Sequence, residues 1–213
     1  MVRRAREASF MGGARVFPGG ALEDCDSGDL ARRAVRWSGP AEELPWRAAA
    51  LRELCEEADV TLTDPPITVT GEGEDVYRAV LEADARLDAD RLAYIANWVT
   101  PRGPSRRFDA RFYLAGVPAE WDAAPDEREV FDHEWVTAAA ALGHHESGNW
   151  LVEFPTRVQL EALARYDTVE QALEGLGRDP GEVDRIEPRI ARDDNGSLRV
   201  VLPGEPDYEG LPA

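Results

Sequence analysis

The run Leu51-Arg52-Glu53-Leu54-Cys55-Glu56-Glu57-Ala58 combines three carboxylates and a guanidinium at helical spacing. Read as a helix, it puts Glu53, Glu56 and Glu57 at i, i+3 and i+4. Those positions are neighbours on one face, with Cβ atoms roughly 5–6 Å apart. At about 100° per residue, Leu51, Leu54, Cys55 and Ala58 fall on the opposite side. One face can then be buried while the other carries the acids. Like charges this close cost about 0.2–0.5 kcal/mol per pair in an isolated helix. Arg52, four residues before Glu56, offsets part of that cost. A divalent cation would offset all of it, because hard cations prefer clustered carboxylate oxygens. A solvated acidic face is the plain alternative. The apolar face behind the acids and the upstream turn Val16-Phe17-Pro18-Gly19-Gly20 argue against it.

Together these residues resemble the signature of the Nudix hydrolases. That signature is a Gly and, after a short gap, a Glu, followed by Arg-Glu-aliphatic-any-Glu-Glu-any-Gly-aliphatic. Gly20 opens it here, and Arg52 to Val60 closes it. The first acidic position is Asp26 rather than Glu, and the glycine of the box is Asp59. Aspartate still tolerates a left-handed helix end. Between Asp26 and Arg52 lie 25 residues (52 − 26 − 1), far more than the signature has. The insertion, about 27–44 within the acidic stretch Asp24 to Leu44, holds Arg32, Arg33 and Arg36. Gly39-Pro40 breaks any helix there. Such an insert resembles a bacterial group similar to peroxisomal coenzyme A-hydrolysing Nudix proteins, and reads as surface decoration rather than a lid.

The resemblance implies an α/β fold, the Nudix α/β/α sandwich with a mixed central sheet, in a single domain over 1–213. The abrupt start leaves only a stub, Met1–Arg4, ahead of the loop to Phe17. The expected sheet is therefore short of an N-terminal strand and exposes an edge. The resemblance also implies hydrolysis of a diphosphate linked to a nucleoside, with Mg²⁺ or Mn²⁺ held by Glu53, Glu56, Glu57 and the carbonyl of Gly19. Arg52 would orient a carboxylate, and Glu53 would serve both metal and chemistry. Glu129, with Glu127 as the alternative, stands where the family often places a further metal ligand or base.

Substrate is less marked. Arg4-Ala5, Ser9, Gly13 and Phe17-Pro18-Gly19-Gly20 follow in part an upstream motif of coenzyme A diphosphatases, which has Arg where this chain has Ser9. Coenzyme A or acyl-coenzyme A is thus the first substrate expected; ADP-ribose, NADH and other nucleotides stay open. Arg102, Arg106 and Arg107 form a basic Pro/Gly loop in an acidic chain, either a phosphate contact or a solvated turn. A Nudix-fold binding module with weak or no turnover is the reading from another class.

Composition limits the partners. The formal net charge is −18, with 42 acidic residues against 24 basic ones, all of them arginine. Such a chain does not bind nucleic acid or anionic membrane non-specifically. An anionic small-molecule substrate needs local cations. Cys25 and Cys55 make no disulfide framework; Cys55 reads as a small core residue. His144-His145 reads as a loop pair with no third ligand at suitable spacing for a metal. No secretory leader or long apolar run stands out, so the expected location is cytoplasmic. A homodimer is compatible with the sequence.

The elements that must position the acids follow from punctuation and periodicity. Pro45 suits a first helical turn, so the acidic helix runs from there to about Ala58. Thr61–Thr70 reads as a strand region broken by Pro65-Pro66, and Glu74–Ala83 as an amphipathic helix with Val76, Val80 and Leu81 apolar. Leu92–Thr100, Phe108–Val117 and Val130–Val136 read as strands. Thr137 is the expected N-cap of a helix to Leu142. Helices are expected from Pro155 and over Val169–Leu176. Asn195-Gly196 between Arg185–Ala191 and Leu198–Leu202 is a hairpin signal.

Overall fold

The computed structural model describes residues 1–4, 12–102, 107–117, 134–193 and 195–212. The chain forms two compact units, Met1–Leu92 with Ala115–Gly175, and Ala93–Leu114 with Leu176–Ala213.

In the first unit, β1 (Val2–Arg3) pairs antiparallel with β2 (Arg15–Val16), Val2 opposite Val16. The stub before the loop is therefore itself a strand. Of the strand expected at Val130–Val136, only 134–136 are described, and they lie outside regular strand. Glu134 exchanges two backbone hydrogen bonds with Met1, at 2.7 and 2.9 Å. A 3-10 turn, Asp24–Ser27, leads into α1 (Asp29–Ala34) and β3 (Val35–Arg36), which runs parallel to β4 (Leu87–Asp88). Between β3 and β4 come α2 (Leu44–Ala58) and α3 (Glu74–Glu82).

The insertion is not decoration. Ala31 and Ala34 of α1 are fully buried, and α1 packs against α3, whose Val76, Tyr77 and Val80 are also fully buried. Two alanines on one face let the helices approach closely, which a longer side chain would prevent.

The strand expected at Thr61–Thr70 does not form. Pro65 and Pro66 bring no N–H to a ladder. Thr61 and Thr63 turn their hydroxyls onto the carbonyls of Ile67 and Pro65, so the segment satisfies itself locally. Its outside tie is the Asp88 N–H donated to the Leu62 carbonyl at 2.7 Å.

Three further helices complete this unit: α4 (Ala138–Glu146), α5 (Phe154–Leu163) and α6 (Val169–Leu176). Thr137 caps α4 by accepting from the Ala140 N–H at 3.2 Å. α4 and α5 pack around Ala141, Val152 and Leu160, with Met1, Phe17 and Trp150 against them. The His144-His145 pair lies in the last turn of α4 rather than in a loop. His144 stacks on Trp150 at 4.7 Å, and His145 Nδ1 lies 3.3 Å from the Trp150 carbonyl oxygen.

The second unit holds the mixed sheet, in the order β6 (Asp109–Leu114), β5 (Ala93–Val99), β7 (Arg185–Ile186). β5 runs antiparallel to β6 and parallel to β7. The C-terminal hairpin forms as the Asn-Gly signal predicts, from β8 (Arg189–Arg192) and β9 (Leu198–Val201). Asp193 accepts from the Asn195 and Ser197 N–H groups, and Gly196 takes φ +82°. The expected segment Arg185–Ala191 is split by Pro188, which cannot donate to a ladder. Among the described residues no helix is long and apolar enough to cross a membrane.

Candidate active site

The helix that carries the acids forms for local reasons. Pro45 sits in the first turn of α2, and the helix ends at Asp59, whose φ of 52° and ψ of 24° are left-handed. The Asp59 N–H bonds the Cys55 carbonyl at 3.1 Å, closing the end as the glycine of the signature would. Cys55 is buried and unbonded to any other cysteine, as expected of a core residue. Burial pushes its thiol pKa up to about 12.

The acidic face of α2 is covered rather than solvated. Arg52 and Glu53 are 1% and 8% exposed, whereas Leu54 and Ala58 on the apolar side are only half-buried. The cover is the turn before the box. The Gly19 N–H donates to Glu57 Oε2 at 2.8 Å. A Cβ on Gly20 would stand 2.6 Å from Glu53 Cδ, so a larger residue there would push that carboxylate aside.

Arg52 organises the cluster with all five of its N–H groups. Nε donates to Asp26 Oδ1 at 2.9 Å, and Nη2 to Asp26 Oδ2 and the Ala21 carbonyl, both at 3.0 Å. Nη1 donates to Glu53 Oε1 at 2.7 Å and Glu56 Oε2 at 3.0 Å. Arg52 thus bonds three carboxylates and one carbonyl at once. Asp26 at the first acidic position is fully buried and also accepts from the Glu23 N–H at 2.7 Å.

Two partners were not legible in the sequence. The Gly73 N–H, at the start of α3, donates to Glu56 Oε1 at 2.7 Å. The Tyr77 hydroxyl donates to Asp26 Oδ1 at 2.5 Å. The signal that could have found Tyr77 is its place beside Val76 and three residues before Val80, on the buried face of α3.

The electrostatics follow from this packing. Burial raises the pKa of Glu53 against the opposing Arg52 contacts, and Glu57 and Glu23 add to the rise. Burial likewise raises Glu56 and Glu57 despite the N–H groups of Gly73 and Gly19. At Asp26 burial also pushes upward, but the bonds from Arg52 and Tyr77 outweigh it and hold the carboxyl below its usual range. Tyr77 is pushed up by burial and by its bond to Asp26.

Three partly desolvated glutamates that raise one another's pKa are a donor set of hard oxygens, and that chemistry fits a divalent cation. Among the described residues, no group of three His, Cys, Asp or Glu already converges to hold one. Glu129, Glu127 and Arg106 lie outside the described residues. Arg102 and Arg107 belong to the second unit, where both stand beside Glu187: Arg107 hydrogen-bonds its carboxylate, and Arg102 Nε is 3.8 Å from it.

The chain has an α/β fold in which a glycine turn lies over an Arg-locked carboxylate helix, and the fold matches that of a solved Nudix hydrolase. A NUDIX hydrolase from Alicyclobacillus acidocaldarius superposes with a TM-score of 0.69 at 27% identity, covering 84% of this chain and 88% of that one. Among curated proteins, the chain is similar to acyl-coenzyme A diphosphatase NUDT19 of Homo sapiens, 25% identical over 84% of this chain. It is also similar to the Xenopus laevis protein of that name, 22% identical over 98% of this chain. The chain spans 65% and 70% of the lengths of these two relatives. No family model matches it.

Proposed function

We propose that this chain is a metal-dependent Nudix diphosphatase acting on a nucleoside diphosphate linked to a second group, first of all a coenzyme A or acyl-coenzyme A. The observation that carries this reading is the carboxylate face of α2, locked by the five bonds of Arg52 under the Gly19-Gly20 turn. The names of the two curated relatives support the substrate class.

Glu53, Glu56, Glu57 and Gly19 would hold the metal. Bound Mg²⁺ or Mn²⁺ would neutralise phosphate oxygens and acidify the attacking water. The chain's own residues prepare for this. Arg52 holds Glu53 and Glu56 in fixed positions, a role whose loss elsewhere costs about 10–100-fold in metal affinity or activity. Glu129 is the proposed base, with Glu127 as the alternative, and Arg102, Arg106 and Arg107 are proposed phosphate contacts.

The test is manganese-stimulated phosphate release from a panel of coenzyme A, acyl-coenzyme A, ADP-ribose and NADH. Glu56→Gln and Glu57→Gln should each remove that metal-dependent turnover, a larger loss than the about 10–100-fold typical of outer-shell partners, with an unchanged circular dichroism spectrum. Full activity in either purified variant sinks the assignment. One observation favours a second reading, a nucleotide-binding module. Glu56 and Glu57 each already accept a backbone N–H, and no three acids converge among the described residues. Nucleotide binding without metal-stimulated release from any panel member would support that reading instead.

A further inference from the structure

We infer that Tyr77 is a positioning residue for the carboxylate cluster: its hydroxyl fixes Asp26, Asp26 fixes Arg52, and Arg52 sets where Glu53 and Glu56 present their oxygens. The inference rests on the metal-dependent reading of the site but concerns a residue outside the Nudix signature. Its basis is a chain of hydrogen bonds with no slack. Asp26 is one methylene shorter than the glutamate of the signature, and it is drawn in by the 3-10 turn Asp24–Ser27. Its two oxygens accept from Arg52 Nε and Nη2, the Glu23 N–H and the Tyr77 hydroxyl. Tyr77 and Asp26 are both fully buried, so no bulk water can take the hydroxyl's place. Arg52 has no donor to spare, and a tilt of Asp26 must therefore be passed to Glu53, Glu56 or Ala21.

One helix meets the cluster at two points. The Gly73 N–H at the start of α3 holds Glu56, and Tyr77, one turn later, holds Asp26. α3 in turn packs against α1 of the insertion, and both carry fully buried side chains. The insertion thus reaches the site by bracing α3.

Tyr77→Phe removes one oxygen and leaves the ring. The experiment follows Mn²⁺ binding to the resting protein by the paramagnetic signal of free Mn²⁺, beside steady-state hydrolysis. Both are run near 10 °C, about where domains are most stable. We expect Tyr77→Phe to weaken Mn²⁺ binding about tenfold and to lower kcat by a similar factor, with the KM for the diphosphate within about twofold. Val201→Ala, a cavity at a fully buried position of β9 and outside α1, α2 and α3, should lower Tm at least as far while keeping wild-type Mn²⁺ affinity.

The inference is overturned if Tyr77→Phe binds Mn²⁺ and turns over like the wild type, if Val201→Ala shows the same loss, or if Tyr77→Phe is unfolded at that temperature. A wild-type protein that binds Mn²⁺ but hydrolyses no diphosphate defeats the proposed reaction alone, because the affinity ratio still judges Tyr77. A wild-type protein that binds no Mn²⁺ defeats both.

Discussion

Glu57 is pulled in two directions. Burial and Glu56 raise its pKa, while the Gly19 N–H and Arg4 lower it, and the rise prevails. Glu53 and Glu56 are raised as well, with burial the largest cause in each. A carboxyl with a raised folded-state pKa binds more protons folded than unfolded, so folding loses stability as pH climbs above the ordinary glutamate value of 4.5. Asp26 has the opposite sign. Its folded pKa is lowered, so its contribution is in place above the ordinary 3.8 and is lost as pH falls through the lower folded value. The two effects occupy different windows. Without divalent metal, Tm should fall as pH climbs above the ordinary 4.5 and the glutamates ionise. Added Mn²⁺ should restore more of it at the higher pH, and Glu57→Gln should flatten both responses. A melting series in chelator and in Mn²⁺ reads this directly; a flat metal-free profile would count against three mutually raised acids.

At the scale of elements, the site is a meeting of a turn, a helix and a second helix. The turn Phe17–Gly20 covers α2, and α3 grips the same cluster from its own N-terminus and first turns. The insertion bears on this through α1, which packs against α3 and carries the fully buried Ala31. Ala31→Leu adds three carbons to a packed interface, and such overpacking costs about 1–3 kcal/mol. For a chain of this size that is a Tm loss of ~2–4 °C per kcal/mol. The prediction particular to this fold is that Mn²⁺-stimulated turnover also falls, because α3 is displaced from Glu56 and Asp26. Loss of stability with undiminished kcat below the melting range would confine the insertion to a structural role.

Across the whole molecule, the dominant quantity is a net charge of −18. A diphosphate approaching it is repelled once the distance falls within about a Debye length, about 10 Å at 0.1 M salt, beyond which salt screens the charge. Raising ionic strength from about 10 mM to about 150 mM at fixed free Mn²⁺ should therefore raise kcat/KM for an anionic substrate a few-fold. A decrease would indicate that a local field, such as the arginine loop holding Arg102 and Arg107, governs encounter instead. In the structure both those arginines stand beside Glu187, which already offsets part of their charge.

How far the sequence reached depends on the range of the interaction concerned. The spacing of Glu53, Glu56 and Glu57, Pro45 at the helix start and a left-handed Asp59 at its end are contacts within one or two turns, and the chain dictates them alone. The same holds for the Thr137 cap and the Asn195-Gly196 hairpin. Distance along the chain is what hid the rest. Gly73 lies 17 residues from Glu56 and Tyr77 lies 51 from Asp26, and no local periodicity encodes such pairs. Nor could periodicity show that the acidic face of α2 would be covered, or that alanines in the insertion would be core. Which donors reach a buried carboxylate is settled by how separate elements pack, and that is a property of the folded chain.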